Sequence, residues 1–202
     1  VNQVLGEGEV SAVVTGAGDD SRELRVQEAV FAGVWRVVSS VSGQVVGDCI
    51  ELGAIPLVLK EAARADVLAD VPRWLHALPP NVQNAPTLLA EIEDQWRVWQ
   101  PGQPAHVVNL TLLPMSVEDI GFLDHHLGTG RVLILSRGYG NCRITNTRLP
   151  HTWRVTYFNS TDINILDTLE VCRVPEVGCA AAEDLEDSAE RLAEVLQWVQ
   201  AS

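Results

Sequence analysis

The chain has 202 residues, enough for one large domain or two small ones at about 150 residues each. A hydrophobic content of 47% with 20% charged residues permits a buried core and excludes a chain disordered throughout. Lys and Arg number 14 against 27 Asp and Glu, a formal net charge of −13 shared by both halves, so nucleic acid and anionic lipid are poor partners.

No run approaches the ~18 consecutive apolar residues that cross a bilayer, so direct membrane insertion is not expected. The cysteines Cys49, Cys142, Cys172 and Cys179 are widely spaced and form no C-x2-C pair. That argues against a disulfide framework or a zinc knuckle and suits a reducing cytoplasm.

In chain order, clustered and alternating β-branched residues predict strands over about 9–15, 23–41 and 44–55, the last two linked by Ser42-Gly43 as a hairpin turn. The 56–70 segment is helical in composition and stops at Pro72, and the proline-rich stretch 71–86 reads as a linker. Pro86 opens a helix with Leu88, Leu89, Ile92, Trp96 and Trp99 on one face. His106 to Leu113 reads as a strand. Ser116-Val117-Glu118-Asp119 resembles a capping box with Asp in place of Glu, and its helix buries Ile120, Leu123 and Leu127 before Gly128 ends it. Strands follow over about 131–137, 143–158 and 163–174, with Asn159 to Asp162 as a turn. A last helix, about 181–200, carries Leu185, Ala189, Leu192, Leu196 and Val199 on a stripe expected to face the core.

An internal repeat organises these elements. Leu5-Gly6-Glu7-Gly8 recurs as Leu127-Gly128-Thr129-Gly130, Trp35-Arg36-Val37 as Trp153-Arg154-Val155, and Glu51 with Ile55-Pro56 as Glu170 with Val174-Pro175. The offsets of 122, 118 and 119 residues keep the order. The expected fold is therefore α+β, as two tandem related modules over residues 1–80 and 81–202. Each is a mainly antiparallel sheet of three to four strands covered by helices. The first copy lacks the strand and helix that lead the second, so an upstream segment is expected in the intact protein.

No motif announces chemistry. Both Gly-x-Gly turns follow a helix and precede a strand, the reverse of a phosphate loop. Asp124-His125-His126 is the densest titratable cluster, but neighbouring helical residues point about 100° apart, which favours a structural or surface role. His76, His106 and His151 are isolated, and Glu51 and Glu170 read as solvent-facing or Arg-paired strand residues. Trp35 and Trp153 read as core anchors, with protein contact as the alternative; Trp74 and Trp198, near segment ends, suit a docking surface.

The runs Leu5 to Ala12 and Glu28 to Val37, then Glu51 with Ile55-Pro56, resemble the HupH/HyaF/HoxQ family of [NiFe]-hydrogenase expression proteins. Val107 to Ser116 resembles the strand and helix entry of the same module, and the match extends over nearly the whole chain. The resemblance implies a hydrogenase maturation protein that is not an enzyme and brings no cofactor. Its implied role is an assembly chaperone for the small, iron–sulfur subunit of a membrane-bound uptake hydrogenase. The implied partners are that subunit's precursor and another maturation factor. Two alternatives stay open: an iron or iron–sulfur carrier built on Cys142, Cys172 and Cys179, and a structural subunit of a redox complex.

Overall fold

A computed structural model describes residues 5–17, 21–70, 74, 77–138 and 140–201. Pro72, His76 and the Asn2 to Val4 segment lie outside them. Period-two alternation builds the strands. In β1 (Val10–Thr15) the inward Val10, Ala12 and Val14 are buried while Ser11 and Val13 alternate with them. The same rule carries β2 (Arg22–Glu28), β3 (Val34–Val41) and β4 (Gln44–Leu52). Ser42 and Gly43 join the last two with positive φ at both central residues, as a two-residue hairpin requires.

Two of the expected strands are broken in the middle. The 23–41 run turns back at Gly33, which has φ 78°, and the 143–158 run turns back at His151, φ 54°. The later strands are β5 (His106–Asn109), β6 (Val132–Ser136), β7 (Asn141–Asn146), β8 (Thr152–Phe158) and β9 (Asn164–Val171). β5 is shorter than expected, because the Asn109 side chain accepts the Leu112 N–H and winds Leu110–Leu112 into a 3-10 turn.

The sheet is not divided as the sequence suggests. All nine strands form one antiparallel sheet in the order β4-β3-β2-β1-β6-β7-β8-β9-β5. β1 pairs β6 from Val10↔Ser136 to Val14↔Val132, which closes two edges that separate sheets would leave open.

Four helices are described: α1 (Leu57–Ala65), α2 (Ala85–Val98), α3 (Val117–Leu127) and α4 (Ala182–Ala201). One core lies on a single face across the β1–β6 junction, joining Ala12, Val26, Trp35 and Val37 to Ile134, Ile144 and Val155 under Leu59 of α1. A second lies on the opposite face, where Leu169, Val171 and Val108 meet Ile92 of α2 and Leu123 of α3. The Ser116–Asp119 capping box is present with both of its hydrogen bonds. α4 departs from expectation: only Ser188 is buried, and residues 191–201 are exposed.

The anchors read from the sequence occupy matching positions. Trp35 pairs Glu51 and Trp153 pairs Glu170 across neighbouring strands. Arg36 grips Asp48 through Nε and Nη2 at 2.9 and 2.6 Å, and Arg154 grips Asp167 at the same two distances. Gly8 N donates to Glu28 O at 2.7 Å, and Gly130 N to Asn146 O at 2.8 Å. The second glycine of each pair is fixed by space. A Cβ on Gly8 would meet Ala29 O at 2.4 Å, and one on Gly130 would meet Asn146 Nδ2 at 2.0 Å.

A polar clasp joins α1 to the second half. Asp66 accepts the Arg131 N–H at 2.6 Å, Arg131 Nε at 2.5 Å and Asn146 Nδ2 at 3.0 Å. Burial pushes its carboxyl up, but these donors outweigh that and hold it below the usual carboxylate range. Replacing Asp66 by Ala is expected to cost about 2 kcal/mol, measured by urea unfolding, because it strips buried donors of a charged acceptor.

Candidate functional site

The tryptophans divide by burial. Trp35 is 0% exposed and its indole donates to Gly53 O at 2.8 Å; Trp153 is 2% exposed in the same core. Both therefore serve packing and present no surface to a partner. Trp74, 39% exposed, meets Phe122 and His126 edge-on with ring centroids 4.8 and 5.6 Å apart, and Trp198 on α4 is 73% exposed.

In the Asp124-His125-His126 cluster the two imidazole rings meet edge-on with centroids 5.2 Å apart, although neighbours on a helix were expected to diverge, and the other contacts of Asp124 and His126 are structural. Asp124 pairs with Arg154. His126 donates from Nδ1 to Phe122 O at 2.8 Å and stacks on the Phe122 ring. His106 meets Glu91 at 2.8 Å, and the His151 ring lies on Trp99, where burial lowers its pKa. Among the described residues, no three of His, Cys, Asp or Glu gather to hold a metal ion.

The matched glutamates have parted ways. Glu51 Oε2 accepts the Leu57 N–H at 2.7 Å and so satisfies the first turn of α1, a role the sequence reading missed. Glu170 instead lies in a cleft of about 1040 Å³ with Tyr157, Cys172, Cys179 and Trp99. Among the described residues it accepts only from Thr168 Oγ1 at 3.3 Å, and burial raises its pKa. A carboxyl that resists ionisation in the fold binds its proton more tightly than in the unfolded chain. Stability then falls as pH rises from the unfolded carboxyl range through the raised folded value. Glu170→Gln is accordingly expected to melt at a higher temperature than the parent at pH 7, with the difference gone by about pH 4, in calorimetry at both pH values.

Two thiols of this cleft, Cys172 and Cys179, and the buried Cys142 outside it are held neutral. Burial pushes Cys179 up to about 11 and raises Cys172 and Cys142 as well. Thiols in this state are weak nucleophiles and weak ligands at neutral pH. Burial therefore works against nucleophilic chemistry at these three positions.

What the molecule does offer is surface. β4 is an edge of the sheet, and Val45, Val46, Ile50 and Leu52 are 65, 63, 50 and 78% exposed along it. An open, apolar edge strand is a site for strand addition or association. Sequence reading missed this because side-chain pattern reports the two faces of a strand and not whether both of its backbone edges are paired. The signal was the adjacent pair Val45-Val46, which puts an apolar side chain on each face.

These features define an α+β sheet scaffold with an exposed apolar edge strand and a largely exposed last helix. The chain belongs to the HupH family: residues 1–77 and 82–199 match the HupH hydrogenase expression protein, C-terminal conserved region. It is 57% identical to hydrogenase expression/formation protein HoxQ of Cupriavidus necator and 50% identical to hydrogenase expression/formation protein HupH of Rhodobacter capsulatus. It is 38% identical to hydrogenase-1 operon protein HyaF of Escherichia coli. Each match covers 98% of this chain and 68% of the relative. A solved structure of hydrogenase expression protein HupH from Thiobacillus denitrificans is similar with TM-score 0.50 and 27% identity, over 58% of this chain and 96% of that one. No described helix is long and apolar enough to cross a membrane.

Proposed function

We propose that this protein is a hydrogenase maturation factor: a cytoplasmic assembly chaperone for the small, iron–sulfur subunit precursor of a membrane-bound uptake [NiFe] hydrogenase. The observation that carries the reading is the kinship, over 98% of this chain, with proteins named for hydrogenase expression and formation. The scaffold supports it. An assembly factor needs a broad surface with partly exposed apolar anchors, and the β4 edge together with Trp74 and Trp198 supplies such groups. In this reading it works by binding, not as an enzyme, and its partners are the small-subunit precursor and another maturation factor.

Residues 1–80 and 81–202 are, in this reading, tandem copies of one module. The paired Trp–Glu registers and Arg–Asp grips support it, and so does a solved HupH chain that matches across little more than half of this one.

The test is affinity purification from cells making uptake hydrogenase. The small-subunit precursor is expected to come with the protein and the finished enzyme is not. Recovery of the finished enzyme would point to a structural subunit. Metal in stoichiometric amount after anaerobic reconstitution would point to a carrier.

A further inference from the structure

We propose that the β4 edge and the sheet face beside it are the seat of a helix–strand–helix segment of the protein's own chain, lying before residue 1 and built like α2, β5 and α3. In the tandem-module reading, on which this rests, the second module shows such a seat filled. Ile50 and Leu52 pair Arg36 and Val34, as Leu169 and Val171 pair Arg154 and Thr152. There β5 adds to the β9 edge, with Val108 opposite Leu169 and His106 opposite Val171. α2 and α3 cover that face, and both Leu169 and Val171 are 0% exposed. Their counterparts on β4 are bare, Ile50 at 50% and Leu52 at 78% exposed. The position between agrees: Thr168 is buried, and its counterpart Cys49 is exposed.

The start of the first module points to the same occupant. Leu5 is helical, and Gly6 follows it with φ 62°, as Gly128 follows α3 with φ 61°. Leu5 O accepts the Val30 N–H at 2.9 Å, and Leu127 O accepts the Arg148 N–H at 2.8 Å, so Leu5 stands where α3 ends. The two stretches that match the HupH region differ in the same place. Residues 1–77 fall about 40 short of 82–199, and what the second stretch holds before its glycine turn is α2, β5 and α3. Relatives hold residues beyond the match, which takes 68% of their length. A second copy is a poorer occupant, because pairing β4 with β4 about a two-fold axis would close the edge but lay no helix over Ile50 and Leu52. A client strand would compete with this segment for one edge, so the segment must lift before β4 serves a client.

The test uses the intact protein, with the residues that precede Val1, and no hydrogenase subunit. Iodoacetamide labelling of Cys49, read on its peptide by mass spectrometry, is expected to run at least about tenfold slower in the parent than in Ile50→Asp with Leu52→Asp. The amides of β1 and β6 are expected to exchange slowly in both, which shows that the variant is folded. Parent amides along β4 are expected to exchange as slowly as those of β9, at every protein concentration. Fast labelling of Cys49 in the parent would overturn the proposal whatever the variant does. So would protection that grows with protein concentration, the mark of a second copy, or protection that appears only when a partner is added. A reading frame whose upstream residues lack a strand flanked by helices would remove the tandem-module reading along with the proposal; the hydrogenase reading survives each of these results.

Discussion

Replacing Asp119 by Ala is expected to lower stability by about 3–5 kcal/mol, the loss that follows when several buried donors are left without an acceptor. The residue is 1% exposed. Its Oδ1 accepts the backbone N–H groups of Gln83, Asn84 and Ala85 at 2.8, 2.9 and 2.9 Å, and its Oδ2 accepts that of Ser116 at 3.2 Å. One carboxylate therefore ties the start of α2 to the start of α3, and through them closes the second core. Burial alone would push this carboxyl up; the four backbone donors reverse the sign and hold it far below the ordinary carboxylate range. A depressed folded pKa contributes stability that is complete above the unfolded value near pH 4 and fades as pH falls below it. Urea unfolding of parent and variant at pH 7 and pH 3 is expected to show the gap narrowing in acid. Asp119→Asn is expected to lose less than Ala, because its amide oxygen can still accept while its NH₂ faces the Ser116 donor.

The second large effect is expected at Trp35. Trp35→Ala removes a fully buried indole beside Ile55 and Leu59 and leaves the Gly53 carbonyl without its donor. The cavity and transfer contributions of such truncations amount to about 3–5 kcal/mol. Because Trp35 and Trp153 share one core across the β1–β6 junction, the variant is expected to unfold in one transition, not by release of the first half alone. Trp35→Phe keeps most of the packing and is expected to cost about 1–2 kcal/mol. Calorimetry distinguishes the cases by the number of transitions and the shift in midpoint.

Most strand positions, the capping box and the Gly-x-Gly turns, though not the breaks at Gly33 and His151, were legible in the sequence because each depends on neighbours within a few residues. Ser116 and Asp119 lie one turn apart, and alternation over Val10 to Val14 needs no partner to be recognised. The single sheet was not legible. Val10 and Ser136 are paired across more than a hundred residues, and the same alternation would have served an isolated sheet equally well. α4 failed for a related reason: an apolar stripe shows which way a helix can be buried, not whether anything covers it. Glu51 as the acceptor for Leu57 needed the strand and helix to be placed before its role appeared.

Hydrogen exchange on this chain, with and without the hydrogenase small-subunit precursor, tests most directly whether it works as a binding scaffold. Slowed exchange is expected along the exposed β4 edge and α4, with the amides of β1 and β6 unchanged at the slow rate of the core. Protection confined to the cleft around Glu170, or no protection anywhere, would contradict it.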